Sequence, residues 1–381
     1  VMAACGGSGG TASNSATSSP SGGDANPNAT GQPTSGGTLN LLGSGDVDHL
    51  DTASAYYAAT YTLERAYTRQ LVSYPTSTDL TTANGVVPDV ATQVPTVANG
   101  GVSSDGLTYT FHLRSGVMWN TTPARPVTSQ DFALGLERLC NPVSPVGAPG
   151  YYTATITGFN DYCNAFTALK GATVATIKAF ITGHSISGIT TPDASTIVFK
   201  LLKPASDLVN ILALPFASAA PVEYLGYLPD DAGFRNHTIS DGPYQIVKYT
   251  PAAEIDLDRS PAWSQSADPL RHQYVAHIKV TEGQDENAVQ QQIEAGTADM
   301  QFDTVVPTAV IPRLRTANDA RLGTFGGGDT NPYMLFNLQS PNNGGALKNV
   351  KVRQALEYAV DKTAIVQTYG GPPLGTPLNQ V

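Results

Sequence analysis

Between Gly6 and Gly37 the chain is an almost unbroken run of Gly, Ser, Thr, Asn, Pro and Ala, without an aromatic residue. Such a stretch cannot bury enough apolar surface to offset the entropy of ordering it, so it reads as a flexible tether. Whatever folds must therefore begin near Gly37. The chain has 381 residues, too many for one ordinary domain, and two or three are expected. Apolar residues make up 41%, enough for sizeable cores, while charged residues are only 14%. The surface is accordingly built on hydroxyls and amides more than on ion pairs. A net charge of −10, with no basic stripe of the kind phosphate backbones require, disfavours nucleic acid as a partner.

Ahead of the tether stands Val1-Met2-Ala3-Ala4-Cys5-Gly6-Gly7. Two small residues directly before a cysteine, closing an apolar run, form the signal that a lipoprotein signal peptidase cuts, and Cys5 then becomes the lipidated N-terminus. Met2 stands where Leu is preferred. The charged start of a signal peptide is absent, so the sequence is expected to begin inside one. No run of 18 or more apolar residues follows, so membrane attachment rests on the Cys5 anchor alone. Cys140 and Cys163 have no histidine or further cysteine at metal-ligand spacing between them. In an exported protein they read as one local disulfide, the alternative being two buried free thiols.

The rest of the chain mixes strand and helix signals. Gly37-Thr38-Leu39-Asn40-Leu41-Leu42 reads as a first strand. Tyr56 to Val72 has helical spacing at Leu63, Tyr67 and Leu71. Leu107, Tyr109, Phe111 and Leu113 alternate with polar residues, as in a half-buried strand. Thr128 with Asp131 three positions on predicts a capped helix start. Thr196 to Leu202 reads as a strand, and Tyr244–Lys248 with Glu254–Asp258 as a hairpin. Ala288 to Ala295 reads as a helix stopped by Gly296. Val352, Ala355, Leu356, Ala359 and Val360 form an amphipathic stripe. The class is α/β, without an internal repeat.

Motifs for chemistry are missing. There is no phosphate-cradling Gly-rich loop opening a helix, no His-Glu-x-x-His, no Gly-x-Ser-x-Gly and no Cys-x-x-Cys. The six histidines are scattered, so no metal site and no cofactor are predicted. Seventeen tyrosines against two tryptophans are a bias towards rings with a hydrogen-bonding tip. Patches at Tyr56-Tyr57, Tyr61, Tyr67 and Tyr74, then Tyr151-Tyr152 and Tyr162, suit a cleft for a polar, variable solute, although a single tyrosine more often edges a core.

Seven blocks, in order, resemble the family-5 extracellular solute-binding proteins of peptide and nickel ABC importers. They are Leu50-Asp51 with Leu71-Val72-Ser73-Tyr74, Val87-Pro88-Asp89-Val90-Ala91, Asp105-Gly106-Leu107-Thr108-Tyr109-Thr110-Phe111-His112-Leu113-Arg114-Ser115-Gly116-Val117, Pro126-Val127-Thr128-Ser129-Gln130-Asp131-Phe132, Asp241-Gly242-Pro243-Tyr244, Glu294-Ala295-Gly296-Thr297-Ala298-Asp299, and Val352-Arg353-Gln354-Ala355-Leu356-Glu357-Tyr358-Ala359-Val360-Asp361-Lys362. The third is the most specific. The resemblance implies a periplasmic-binding-protein-like type II fold in its large, three-domain version, with mixed sheets and flanking helices, incomplete at the C-terminus.

On that resemblance residues 1–37 precede the fold, residues 38–74 and 204–324 form a first lobe, 75–203 an inserted domain, and 325–381 the start of a second ligand-gripping lobe. It also implies that Tyr56, Tyr57, Ala58, Tyr151, Tyr152, Asn331 and Tyr333 line the ligand cleft. The implied protein is a monomeric, non-enzymatic lipoprotein on the outer face of a bacterial membrane. Its partners are a peptide or other small solute and the permease subunits of an importer. Sensing or adhesion on the same scaffold is the competing reading, and nickel chelates, sugars and antibiotics compete with peptide.

Overall fold

The computed structural model describes residues 32–77, 79–323, 333–368, 370–372 and 375–377. Cys5 and Asn331 lie outside them. Attachment to the folded part starts slightly before Gly37: the Gly36 N–H donates to Tyr274 O at 2.8 Å, and Arg259 Nη2 donates to Ser35 Oγ at 2.6 Å.

In chain order the principal elements are β1 (Thr38–Leu42), α1 (Ala58–Tyr67), β2 (Thr108–His112), α2 (Ser129–Glu137), α3 (Phe159–Thr167), α4 (Val174–Gly183), β3 (Ile189–Asp193), β4 (Thr196–Lys200), β5 (Tyr244–Thr250), β6 (Glu254–Arg259), β7 (His277–Thr281), α5 (Glu286–Ala295), β8 (Met300–Gln301), α6 (Val350–Ala359) and α7 (Lys362–Thr368). Two sheets organise them. One is five-stranded, in the order β8-β1-β7-β6-β5, and the other is three-stranded, in the order β2-β4-β3. In the first, β1 runs parallel to β7 and β8, while β6 is antiparallel to β5 and β7. The sheet is therefore mixed: a tight hairpin supplies its antiparallel side, and the parallel neighbours of β1 arrive from far along the sequence.

Each sheet anchors an apolar core. Leu50, Leu63, Tyr67, Ile255, Leu257 and Val280 pack against the five-stranded sheet. Phe111, Phe132, Phe159, Phe166 and Phe199 belong to a larger cluster around the three-stranded one. In β2 the alternation is as the sequence predicts, with Tyr109 and Phe111 buried. At α2, Thr128 and Asp131 complete a reciprocal capping box. Helix α5 starts on Asp285, whose side chain accepts from Asn287 N and Ala288 N, and stops at Gly296 with φ 74°. Cys140 and Cys163 are joined as a disulfide, Cα atoms 5.2 Å apart, tying the end of α2 to the middle of α3.

Two elements differ from their sequence patterns. Helix α1 ends at Tyr67, well short of Val72. The chain turns there because Arg69 must reach the interior, where Nη2 pairs with Asp89 at 2.7 Å and also donates to Ala267 O at 2.9 Å. Helix α6 forms, but its apolar stripe packs on no sheet among the described residues: Leu356 is exposed and Tyr358 is 92% exposed. No described helix is long and apolar enough to cross a membrane.

Candidate functional site

Between β1 and α1 the chain must carry Tyr56 and Tyr57 to the surface, and a set of charged groups fixes it on the way. Leu50 N and Asp51 N both donate to Asp230 Oδ1, at 2.8 and 3.2 Å. The Asp51 carboxylate takes a two-pronged pair from Arg138 at 2.8 and 2.5 Å, with both side chains buried. Arg138 in turn lies over the rings of Tyr224 and Phe234. Buried pairs of this kind constrain geometry more than they add net stability.

Asp48 then sets the start of α1. Its Oδ2 accepts from Tyr56 N at 2.7 Å and Tyr57 N at 3.1 Å, and its Oδ1 accepts from Thr60 Oγ1 at 2.5 Å. Tyr57, the residue ahead of the helix, makes no capping bond with its own side chain. A carboxylate from upstream therefore fixes the backbone just ahead of the helix, near its electropositive end. One turn after Thr60, Glu64 is fully buried and neither of its oxygens has a partner. Burial first, and then the nearby Asp48, Asp51 and Asp230, hold its carboxyl well above the usual range. The neutral form of the acid is the one this environment favours.

This geometry leaves Tyr56, Tyr57 and Ala58 on the surface, with the two rings 47% and 63% exposed. Tyr56 packs beside Gly147, where an added Cβ would lie 3.3 Å from its ring. Three residues further on, the short turn Gly150–Thr153 presents Tyr151. The Tyr151 ring lies nearly parallel to Phe216, centroids 6.3 Å apart, and Tyr61, one helical turn after Tyr57, leans on the same Phe216 at 6.0 Å. Burial chiefly pushes the Tyr61 hydroxyl up, and Tyr56 and Tyr151 are both close enough to add to it. Two segments nearly a hundred positions apart thus meet as one aromatic face. Beside it opens a cleft of about 340 Å³, lined by Ala148, Tyr151, Ala154, Asp207 and Ile211 among others.

Other residues fall elsewhere. Tyr152 does not line the cleft. It is fully buried, donating its hydroxyl to Ile211 O at 3.0 Å and stacking on Phe159. Consecutive residues on a helical turn point about 100° apart, so Tyr151 and Tyr152 cannot share a face. Tyr333 is exposed. Sequence reasoning placed Tyr61 among the tyrosine patches but missed Phe216 and Asp207. The i, i+4 spacing from Tyr57 was a usable signal for Tyr61, but no local pattern marks Phe216 or Asp207. Among the described residues no cluster of three metal-ligating side chains exists.

Comparison with known proteins agrees with this architecture. Residues 85–380 match the family model described as bacterial extracellular solute-binding proteins, family 5 Middle. The chain belongs to that family. It is similar to heme-binding protein A of Haemophilus influenzae, 26% identical over 279 residues, covering 70% of this chain and 44% of that protein. It is also similar to the dipeptide-binding protein of Escherichia coli, 25% identical over 282 residues, covering 70% and 45%. The chain thus spans less than half the length of these curated relatives. Among solved structures, clavulanic acid biosynthesis oligopeptide binding protein 2 superposes with a TM-score of 0.65 at 24% identity, covering 89% of this chain and 56% of that one. The fold is the type II periplasmic-binding-protein fold, with mixed α/β content.

Proposed function

We propose that this protein is the solute-capturing component of an ABC importer outside the cytoplasm, and that it takes up peptides on the face formed by Tyr56, Tyr57 and Tyr151. The observation that carries the reading is the approach of the exposed Tyr56 and Tyr151 rings to one another beside an apolar cleft, with exposed Tyr57 adjoining in sequence. Among the described residues none of their hydroxyls has a hydrogen-bond partner, so each is available to a ligand's peptide groups. Amphipathic rings and main-chain groups suit a solute whose backbone is constant and whose side chains vary. The dipeptide- and oligopeptide-binding names of similar proteins support the choice of peptide. Membership of a solute-binding family supports capture over turnover.

On this reading residues 38–74 and 204–324 make the first lobe, whose strands are those of the five-stranded sheet. Residues 75–203, which hold the whole three-stranded sheet, are the inserted domain, and residues from 325 onward open the opposing lobe, bringing Asn331 and Tyr333 towards the ligand. Cys5 carries the lipid, supported by the Met2-Ala3-Ala4-Cys5 sequence. Incubating the whole protein with a mixed di- and tripeptide pool tests the reading: intact peptides should be retained and recovered. Cleavage products, or no retention, would contradict it.

A further inference from the structure

Residues 46–51, which lead from β1 towards the tyrosine face, lie against a single helical turn from much later in the chain, Ala232–Arg235. Asp231 caps that turn, accepting from Phe234 N at 2.7 Å. Asp230 therefore stands at one end of the turn and Arg235 at the other, and both side chains reach the segment. Asp230 has a φ of 54°, in the left-handed region that residues other than glycine seldom enter. Its side chain is 4% exposed. Oδ1 accepts from Leu50 N and Asp51 N, and Oδ2 accepts from His49 Nδ1 at 2.6 Å.

Arg235 ties this carboxylate to the rest of the segment. Its Nη2 donates to Asp48 O at 2.8 Å and to Asp230 Oδ2 at 2.5 Å, and its Nε donates to the same Oδ2 at 3.0 Å. Its Nη1 donates to Tyr249 Oη at 2.5 Å, and the Tyr249 hydroxyl in turn donates to Asp46 Oδ2 at 2.7 Å. One planar guanidinium thus serves three acceptors in different directions, which the single nitrogen of a lysine cannot do. Asp48 is the link to the site. Arg235 holds its carbonyl, and its Oδ2 accepts from Tyr56 N and Tyr57 N at 2.7 and 3.1 Å.

We propose that Arg235 is a positioning residue for the ligand face, gripping Asp48 O, Asp230 and Tyr249 together so that the Asp48 carboxylate fixes the backbone of Tyr56 and Tyr57. The role rests on the reading of that face as ligand-binding. Arg235 acts through Asp48 and needs no contact with the solute. Its effect is preorganisation: rings whose backbone is already held lose less freedom when a peptide docks, so more of the contact energy appears as affinity.

Arg235→Lys and Arg235→Met separate this role from general support of the fold. Lysine keeps a positive charge for Asp230 but cannot hold all three acceptors, whereas methionine removes charge and donors alike. Hydrogen exchange at the Tyr56 and Tyr57 amides should quicken by about tenfold in both variants. The amides of Ile255 and Val280, paired inside the five-stranded sheet, should exchange as in wild type. A merely structural role would quicken all four together. Retention of peptides from a mixed di- and tripeptide pool should fall by about tenfold as well. The lysine variant decides the matter even where the methionine variant does not fold. Unchanged exchange at Tyr56 and Tyr57, equal quickening of the sheet amides, or undiminished peptide retention in a variant with faster tyrosine amides overturns the positioning role. The predicted exchange pattern beside a wild type that retains no peptide overturns instead the ligand reading on which the role depends.

Discussion

Glu64 and Asp241 show how much ionisation chemistry this chain hides. Both are buried acids whose two oxygens lack partners, and in both burial is the largest cause of a carboxyl held well above its usual range. Glu137 is pushed up to about 7, again by burial. Each such group favours the folded state fully only below its unfolded value near pH 4, and loses that contribution as pH rises towards the folded value. His49, raised mainly by its hydrogen bond to Asp230, acts in the same direction. Asp89 acts oppositely: Arg271 and Arg69 hold it far below its normal range against its burial, so its contribution is present at neutral pH and lost only in strong acid. Unfolding stability should therefore fall between about pH 5 and about pH 8. Glu64→Gln and Asp241→Asn should flatten that slope, and denaturant titrations at several pH values check it. Arg69→Met should cost about 1–3 kcal/mol, because it removes the bonds to Asp89 and Ala267 O while Arg271 still pairs with Asp89 at 2.8 Å, and denaturant titration at neutral pH measures the loss. None of this was visible in the sequence. Asp241 stands in a block otherwise read as a strand entry, and Glu64 on a helix whose period looked ordinary. Their burial comes from partners far along the chain.

At the scale of elements, local signals transferred well where neighbouring residues decide the outcome. The Thr128–Asp131 capping box, the Tyr109–Phe111 alternation and the Gly296 stop all depend on a few consecutive positions. Thr128→Ala should cost about 1 kcal/mol, read from chemical denaturation. Where the fold decides, the pattern misled: Leu63, Tyr67 and Leu71 keep helical spacing and are all buried, yet Leu71 lies beyond the helix end. The Tyr151–Tyr152 pair carries the same lesson, since adjacency in sequence placed one ring at the cleft and the other in the core. The Cys140–Cys163 link closes a span of 23 positions, and reduction should lower stability by about 3 kcal/mol. Thermal melts with and without reductant measure this.

For the molecule as a whole, the five-stranded sheet supplies the frame. Its parallel strands β1, β7 and β8 finish along one edge, and the loop leaving β1 leads directly to the tyrosine face. Charged residues from distant segments, namely Asp230, Arg138 and Asp303, hold that loop, so the candidate site depends on the fold being complete around it. That explains why ordered sequence blocks identify the family while the ligand remains a separate question. The blocks are turns, caps and helix faces of the scaffold, whereas the groups that touch a solute are brought together by topology. The most direct measurement is native mass spectrometry of the whole protein purified under gentle conditions, beside a variant carrying both Tyr56→Ala and Tyr151→Ala. Bound peptide masses on the wild type, largely lost from the variant, are the predicted result. A wild type that carries no peptide and takes none up from a mixed pool, or a variant that retains peptide equally well, would contradict the account.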